Sequence, residues 1–132
     1  MKLFLSFIFF LVSISVTFAQ EGDSENVSDA IERIFSKSDH LTLGKMFSTT
    51  VHLDLPKHTG QWSSTQAMYM VKEFFDNNPI KLFEVLQYGT NMSNNTFLAG
   101  TYTTITTIFD VYIVFKEENN KLCVYKLNIR EQ

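Results

Sequence analysis

Apolar residues recur every three to four positions in three segments of the chain, which is the spacing of one face of an amphipathic helix. The apolar positions of these predicted helices are Val27, Ala30, Ile31, Ile34 and Phe35, then Leu41, Leu43, Met46 and Phe47, and finally Ala67, Met70, Val71, Phe74 and Phe75. Ser38 or Asp39 can cap the second helix, and Ser63 or Ser64 can cap the third, because such side chains accept hydrogen bonds from free backbone amides. Asn77-Asn78-Pro79 ends the third helix, since proline cannot continue it.

Apolar and polar side chains alternate through much of the remaining chain, as they do in strands with one buried face. Residues 50–55 predict the first strand, which ends at Pro56, and the chain returns toward the core near Trp62 after a turn at Thr59-Gly60. Further strands are predicted over residues 81–89, 96–107, 108–117 and 121–130. Helices that precede a run of strands indicate an α+β fold with an antiparallel sheet.

The strand predicted over 108–117 has apolar side chains on both of its faces. One face carries Phe109, Val111, Ile113 and Phe115, and the other carries Ile108, Tyr112 and Val114 around Asp110, with Leu122 and Val124 extending it on the next strand. An antiparallel sheet with one solvated face alternates more cleanly than this. We therefore expect the second face to be covered, either by more of the same chain or by a second subunit in a homodimer.

The first nineteen residues have the pattern of a cleaved signal peptide: Lys2, an apolar stretch, and small residues before a cut between Ala19 and Gln20. The alternative is a permanent anchor, but the apolar run is shorter than the roughly 20 residues that a spanning helix needs. A lipid anchor at the cut would require cysteine in place of Gln20. We expect an exported protein, periplasmic or secreted, with no stable membrane anchor, a flexible leader over 20–24 and one domain over 25–132.

Composition and charge exclude some classes of partner. The 132-residue chain has a net charge of −3 and no cluster of basic residues, so we expect no nucleic-acid partner. Its single cysteine, Cys123, has no partner for an intramolecular disulfide. Cys123 alternates with Tyr125, Leu127 and Ile129, which predicts a buried structural thiol on the core face of the last strand.

The order of elements resembles the cone-shaped fold of the nuclear-transport-factor-two-like superfamily. More narrowly, the chain is similar to a family of small exported bacterial proteins that is catalogued only as a domain of unknown function. The matching stretches are Leu43-Gly44-Lys45-Met46-Phe47, residues 62–67, residues 72–79, Ala99-Gly100-Thr101, residues 111–116 and residues 127–131. The resemblance implies N-terminal helices packed on a curved antiparallel sheet (a cystatin-like arrangement), and dimers through the sheet face. It implies no established activity.

Asp110 and Tyr112 are the candidate catalytic residues. The superfamily that the chain resembles includes ketosteroid isomerases and dehydratases, which need a carboxylate base and a group that holds a developing oxyanion. Asp110 lies in an otherwise apolar strand, so burial could desolvate it, and nearby tyrosines supply phenols. In the other interpretation, which we favour, Asp110 lies on a solvated face, because fold-level analogy alone does not argue function.

His52, Asp54 and His58 are the candidate metal ligands. His52 and Asp54 share one face of the predicted strand, and His58 could approach them after the turn. Their spacing matches no established ligand pattern, so a solvated polar face is the preferred interpretation, and no cofactor is expected.

Three hypotheses of function follow. The leading one is a non-enzymatic binding or accessory domain whose conical pocket holds a small apolar ligand. The alternatives are an isomerase or dehydratase that uses Asp110 with a tyrosine, and a structural dimerisation module. A pocket filled completely by Phe74, Phe75 and the tyrosines would contradict both the ligand and the enzyme hypotheses.

Overall fold

The computed structural model describes residues 26–132, which form three helices and six strands. In chain order these elements are α1 (Val27–Ser36), α2 (His40–Met46), β1 (Phe47–Asp54), β2 (Thr59–Ser63), α3 (Ser64–Asn77), β3 (Leu82–Thr90), β4 (Thr96–Thr103), β5 (Ile108–Glu118) and β6 (Lys121–Glu131). The predicted signal peptide, its cleavage site at Ala19 and Gln20, and the leader lie outside the described residues. None of the helices within 26–132 is long and apolar enough to cross a bilayer.

Polar side chains decide where the second and third helices begin. The Asp39 carboxylate accepts hydrogen bonds from the backbone amide of Thr42 at 3.1 Å and from its hydroxyl at 2.6 Å, so Asp39 rather than Ser38 caps α2. Ser63 caps α3 through a capping box, in which its hydroxyl accepts from the Gln66 amide at 3.2 Å and the Gln66 side chain accepts from the Ser63 amide at 3.3 Å. Each cap satisfies amides that a helix leaves free at its start.

The six strands form one sheet in the order β2-β1-β6-β5-β4-β3, and the helices pack on one side of it. The predicted α+β fold, with helices on a curved sheet, is confirmed. All neighbouring strands are antiparallel except β1 and β6, which run parallel. We call the side that the helices cover the inner face and the opposite side the outer face.

Aromatic side chains fill the interior between the helices and the inner face. Phe35 of α1 stacks on Phe83 at 4.7 Å between ring centroids, and Phe75 of α3 stacks on Tyr102 at 6.1 Å. The same group includes Phe74 and Phe109, and every member is at most 5 % exposed. We call these residues the aromatic cluster: Phe35, Phe74, Phe75, Phe83, Tyr102 and Phe109.

Strand β4 is shorter than predicted. It ends at Thr103 rather than at residue 107, because the Thr104 hydroxyl closes a turn. That hydroxyl accepts from the Thr107 amide at 2.9 Å and donates to the Thr107 carbonyl at 3.1 Å. A threonine hydroxyl that bonds to nearby backbone in this way offers the chain an alternative to the strand ladder, which overrides the strand propensity of threonine.

A β-bulge in β6 reverses the predicted faces of its first half. The register of β5 and β6 shifts so that Val114 pairs with Lys126 and Phe115 with Val124, leaving Tyr125 as the extra residue. The prediction that Cys123 and Tyr125 share the core face with Leu127 and Ile129 is therefore wrong. Cys123 is nevertheless buried, as predicted.

The same bulge corrects the predicted second apolar face. Val124 is fully buried in the core on the inner face, and Leu122 packs against that core. Neither residue extends the outer face, because an extra residue in a strand moves every side chain beyond it to the opposite side.

Candidate functional site

A cavity of about 320 Å³ lies beside α3, between the turn that joins β1 to β2 and the adjacent ends of β5 and β6. We call it the α3 cavity. Its apolar floor consists of Leu55, Met70, Phe74 and Phe109. Its polar rim includes Lys57, His58, Glu73, Asn77, Thr107 and Glu131.

Local structure positions both parts of the cavity. Met70, Glu73, Phe74 and Asn77 follow one another on α3 at offsets of three, four and seven residues, so they share one helix face. On the other side, Leu55 and His58 exchange backbone hydrogen bonds of 2.8 and 3.3 Å, which closes a tight turn and holds the His58 ring toward α3.

An ion pair across the rim joins the turn to α3. His58 Nε2 lies 3.0 Å from Glu73 Oε2, with the two side chains 30 % and 47 % exposed. The hydrogen bond from His58, together with the nearby charges of His58 and Lys57, holds the pKa of the Glu73 carboxyl below its usual value. Because an ionised carboxylate can only accept, the proton of this hydrogen bond belongs to His58 Nε2. In a neutral His58 ring, Nδ1 is then the acceptor nitrogen.

Tyr102 lies below the cavity floor and is fully buried. Its hydroxyl donates a hydrogen bond to the backbone carbonyl of Asn78, just after α3. Burial raises the pKa of Tyr102 to about 12, so the phenol stays neutral at ordinary pH. Tyr102 does not line the α3 cavity, and its role in this structure is to tie β4 to the end of α3.

The structure places Asp110 and Tyr112 on the outer face, away from the α3 cavity. Asp110 is exposed and accepts a hydrogen bond of 2.7 Å from the Gln132 side chain. Tyr112 stacks on Phe97 at 5.6 Å, and its hydroxyl accepts a hydrogen bond of 3.4 Å from the Asn91 side chain. The two residues share a strand face, but water reaches the carboxylate, so the desolvation that the catalytic hypothesis needs is missing.

The candidate metal ligands already have other partners. His52 bonds to the Gln61 side chain at 2.6 Å, and the Asp54 carboxylate forms an ion pair with Arg130, both on the outer face. His58 instead faces Glu73 on the rim. Within residues 26–132, no group of three or more histidine, cysteine or acidic side chains could hold a metal ion.

Most of the rim was missed by reasoning from the sequence. The residues come from the β1–β2 turn, from α3, from the β4–β5 turn and from the end of β6, and no local motif connects these segments. One signal was available: the helical spacing of Met70, Glu73, Phe74 and Asn77 puts polar and apolar side chains on the same face of α3, beside the predicted core stripe.

Two apolar side chains in the middle of the outer face are shielded by their neighbours. Phe97 and Val114 lie side by side in paired strands and are only 8 % and 7 % exposed, because they pack against their neighbours and, for Phe97, against the Tyr112 ring. No helix of the described chain packs on this face. Ile108 remains 43 % exposed at one end of the row.

Solved structures share this fold. A DUF4783 family protein from Bacteroides uniformis superimposes with a TM-score of 0.74 and 21 % identity, over 81 % of this chain and 98 % of that chain. A DUF4783 family protein from Bacteroides fragilis gives 0.72 and 21 % over the same shares. More distantly, an NTF-2 like protein of unknown function from Silicibacter pomeroyi gives 0.54 and 9 %, over 79 % of this chain and 88 % of that chain. These likenesses establish an NTF2-like fold.

Sequence comparison agrees with the structural likeness. No curated protein matches the chain at a significant level. The family model for a domain of unknown function, DUF4783, matches residues 28–130, which is most of the chain and nearly all of the part that the structure describes. The protein belongs to the DUF4783 family.

Proposed function

We propose that this protein is a non-enzymatic binding domain whose α3 cavity holds a small ligand with an apolar part. The observation that carries the proposal is the cavity itself, which joins an apolar floor to a polar rim beside one helix. Its volume of about 320 Å³ is near the lower end of the roughly 300–1,000 Å³ typical of small-molecule sites. Such a ligand would bury its apolar part against Met70 and Phe74 and leave its polar group at the rim.

The aromatic cluster restricts where this ligand can lie. Phe74, Phe75 and Tyr102 occupy the interior, where ring centroids are 5.2 Å apart between Phe74 and Tyr102 and 6.1 Å apart between Phe75 and Tyr102. This packing argues against a ligand deep in the cone, but it leaves the α3 cavity open, so the condition that would contradict a ligand is not met. The proposed site is therefore the shallower α3 cavity, and Asp110 has no part in it.

Methionine methyl NMR tests the proposal directly. Met70 lines the cavity, whereas Met92 is fully exposed in the β3–β4 loop and serves as an internal control. Titration of ¹³C-methyl-labelled protein with 1-hexanol, cyclohexanol and benzyl alcohol should shift the Met70 methyl signal saturably and leave the Met92 signal unchanged. The result that overturns the proposal is a Met70 signal that none of these probes moves.

A cavity-filling variant gives the matched control. Met70→Trp should abolish the saturable shift of a second reporter, the ring signals of Phe74, because the larger side chain occupies the space. Leu41→Trp adds the same ring at a position that is 55 % exposed and should leave binding intact. If Met70→Trp folds, as judged by circular dichroism, and still binds the probes as tightly as the wild type, the ligand does not occupy the α3 cavity.

We propose secondly that the outer face pairs with a second copy of the chain. Along the outer row of β5, Asp110 and Lys116 lie on either side of Tyr112 and Val114. A two-fold axis that crosses the strand between Tyr112 and Val114 would bring Asp110 of each copy near Lys116 of the other. This self-complementary charge arrangement, with Ile108 exposed at the end of the row, supports the homodimer.

Charge reversal tests the dimer. Sedimentation equilibrium should show a concentration-dependent dimer that Asp110→Lys or Lys116→Asp alone weakens and that the two substitutions together restore. A protein that stays monomeric at all concentrations, or a double variant no better than the single ones, would rule out this arrangement.

We propose finally that the protein is exported. The support is the N-terminal sequence, with its apolar run and its small residues before Gln20. Expression of the full chain in a Gram-negative bacterium, followed by mass spectrometry of the periplasmic fraction, should give a product that begins at Gln20. A full-length chain retained in the cells would contradict export.

A further inference from the structure

We infer that the α3 cavity prefers ligands that carry an amine or another cationic group to ligands that carry a carboxylate. This inference rests on the proposed function, since it concerns the chemistry of the same site. The charges on the rim and the rings of the floor support it.

The charged groups of the rim never sum to a positive charge. They are two carboxylates, Glu73 and Glu131, one ammonium, Lys57, and the imidazole of His58. With His58 neutral the rim carries one net negative charge, and with His58 protonated it is balanced. The lowered pKa of Glu73 keeps that carboxylate ionised through the neutral range. An anionic ligand therefore meets no net positive charge in either state of His58.

The carboxylates differ in their availability. Glu73 Oε2 accepts the hydrogen bond from His58 Nε2. The Glu131 carboxylate forms no ion pair with any residue in 26–132. Lys57 and Glu131 are both exposed, so water screens both charges. Glu131 is accordingly the rim group with the most capacity left to hold a cation.

The aromatic rings of the cavity floor also favour a cationic ligand. Phe74 and Phe109 meet edge to face, with ring centroids 5.1 Å apart, and both line the cavity beside Glu131, whose backbone pairs with Phe109. Aromatic faces attract cations, most strongly where water is partly excluded. Rings beside a free carboxylate suit an ammonium attached to a small apolar group.

Three probes with the same six-carbon alkyl chain separate the possibilities: hexylammonium, 1-hexanol and heptanoate, each titrated at pH 7 and low salt. The readout is the saturable shift of the Met70 methyl signal. We expect hexylammonium to bind about fivefold more tightly than heptanoate, with 1-hexanol between them, which is the size expected of a partly exposed ion pair. Added salt of about 0.5 M should reduce the difference, because it screens the charges.

A pair of variants assigns the preference to the rim. Glu131→Gln should bring the affinities of hexylammonium and heptanoate to within about twofold of each other. Glu118→Gln removes the same charge at the opposite end of the same pair of strands and should leave the fivefold difference unchanged.

The outcomes distinguish this inference from the proposed function. If all three probes bind equally well, or heptanoate binds most tightly, the charge preference is wrong while the binding site stands. If none of the three probes moves the Met70 signal, the proposed function fails and the inference fails with it.

Discussion

At the scale of single residues, Tyr102 is the side chain whose chemistry the fold changes most. Its hydroxyl is buried and donates to the Asn78 carbonyl. Tyr102→Phe should lower the free energy of unfolding by about 1–2 kcal/mol at pH 7, because the Asn78 carbonyl loses its hydrogen-bond donor. Tyr112→Phe is the matched control, since that hydroxyl makes only a 3.4 Å contact on the outer face, and it should cost less than about 0.5 kcal/mol. Urea denaturation of both variants measures the difference.

Alkaline pH should reverse the order of stability of Tyr102→Phe and the wild type. The folded pKa of Tyr102, about 12, is raised from the usual 10.0 by burial, so the unfolded chain ionises first. The stability that this group contributes is complete below pH 10 and is lost as the pH rises through the folded pKa, by about 2–3 kcal/mol. Tyr102→Phe has no phenol at this position, so it does not lose this stability at alkaline pH. Parallel stability curves for the two proteins between pH 9 and 12 would show that Tyr102 is not the buried phenol described here.

The sequence could not distinguish Tyr102 from the other tyrosines of the sheet. Tyr88, Tyr102, Tyr112 and Tyr125 all stand in alternating strands, yet only Tyr102 is fully buried. The difference arises from packing between distant segments, because Tyr102 lies under Phe35 and Phe75 of two helices. Tyr125 lies on the opposite face from the one predicted, because β6 contains one extra residue. Alternation of apolar and polar residues in the sequence does not reveal such a bulge.

At the scale of secondary structure, the start of α3 provides a test of which serine matters. Ser63→Ala should destabilise the protein by about 1 kcal/mol, since it removes the hydroxyl that accepts from the Gln66 amide. Ser64→Ala changes the first residue inside the helix, where alanine is well tolerated, and should change the stability by less than about 0.5 kcal/mol. Thermal unfolding of the two variants checks this, and equal effects would mean that the capping box contributes nothing.

Strand β4 approaches β3 so closely that Gly100 leaves no room for a side chain. A Cβ at this position would lie 2.6 Å from the backbone carbonyl oxygen of Glu84, and backbone cannot move aside cheaply. Gly100→Ala should therefore cost about 1–3 kcal/mol, as overpacking does. Gly89→Ala, whose Cβ would meet Phe97 at an ordinary 3.9 Å, is the control and should be nearly neutral. Chemical denaturation measures the free energy of unfolding of both variants. A Gly100→Ala protein as stable as the wild type would contradict the close approach of β4 to β3.

Most helices and strands could be predicted because their signals are local. The apolar spacing of Ile31, Ile34 and Phe35 and the capping serine before α3 each depend on residues within a few positions. The parallel pairing of β1 with β6 could not be predicted, because it joins residues more than seventy positions apart, such as Leu53 and Leu127. Strand partners depend on the packing of the whole sheet, which alternation in one strand does not specify.

At the scale of the whole molecule, the fold class followed from the order of helices and strands, but the α3 cavity did not. Its residues come from segments around positions 55, 70, 108 and 131. Only the packing of α3 against the complete sheet brings these segments together. His58 and Asp54 illustrate the limit. They stand four residues apart in sequence, yet the turn directs His58 to α3, while Asp54 pairs with Arg130 on the outer face.

Acid should destabilise the whole domain through Asp39 and Glu73. Thr42 hydrogen bonds lower the pKa of Asp39 from 3.8, and the His58 hydrogen bond lowers the pKa of Glu73 from 4.5. Because the folded pKa values lie below the unfolded ones, the stability that these groups contribute is present above pH 4.5 and is lost as the pH falls through the folded values. Urea midpoints should therefore fall between pH 6 and 2.

The double variant Asp39→Asn, Glu73→Gln should lose less stability over this range than the wild type. Asparagine caps a helix as well as aspartate does, and glutamine still accepts from His58, so both contacts remain while neither group titrates. Glu84→Gln with Glu117→Gln removes the same number of exposed carboxylates and should leave the wild-type slope unchanged. If both double variants reduce the loss of stability between pH 6 and 2 equally, that loss reflects the net charge of the molecule rather than these two hydrogen-bonded carboxylates.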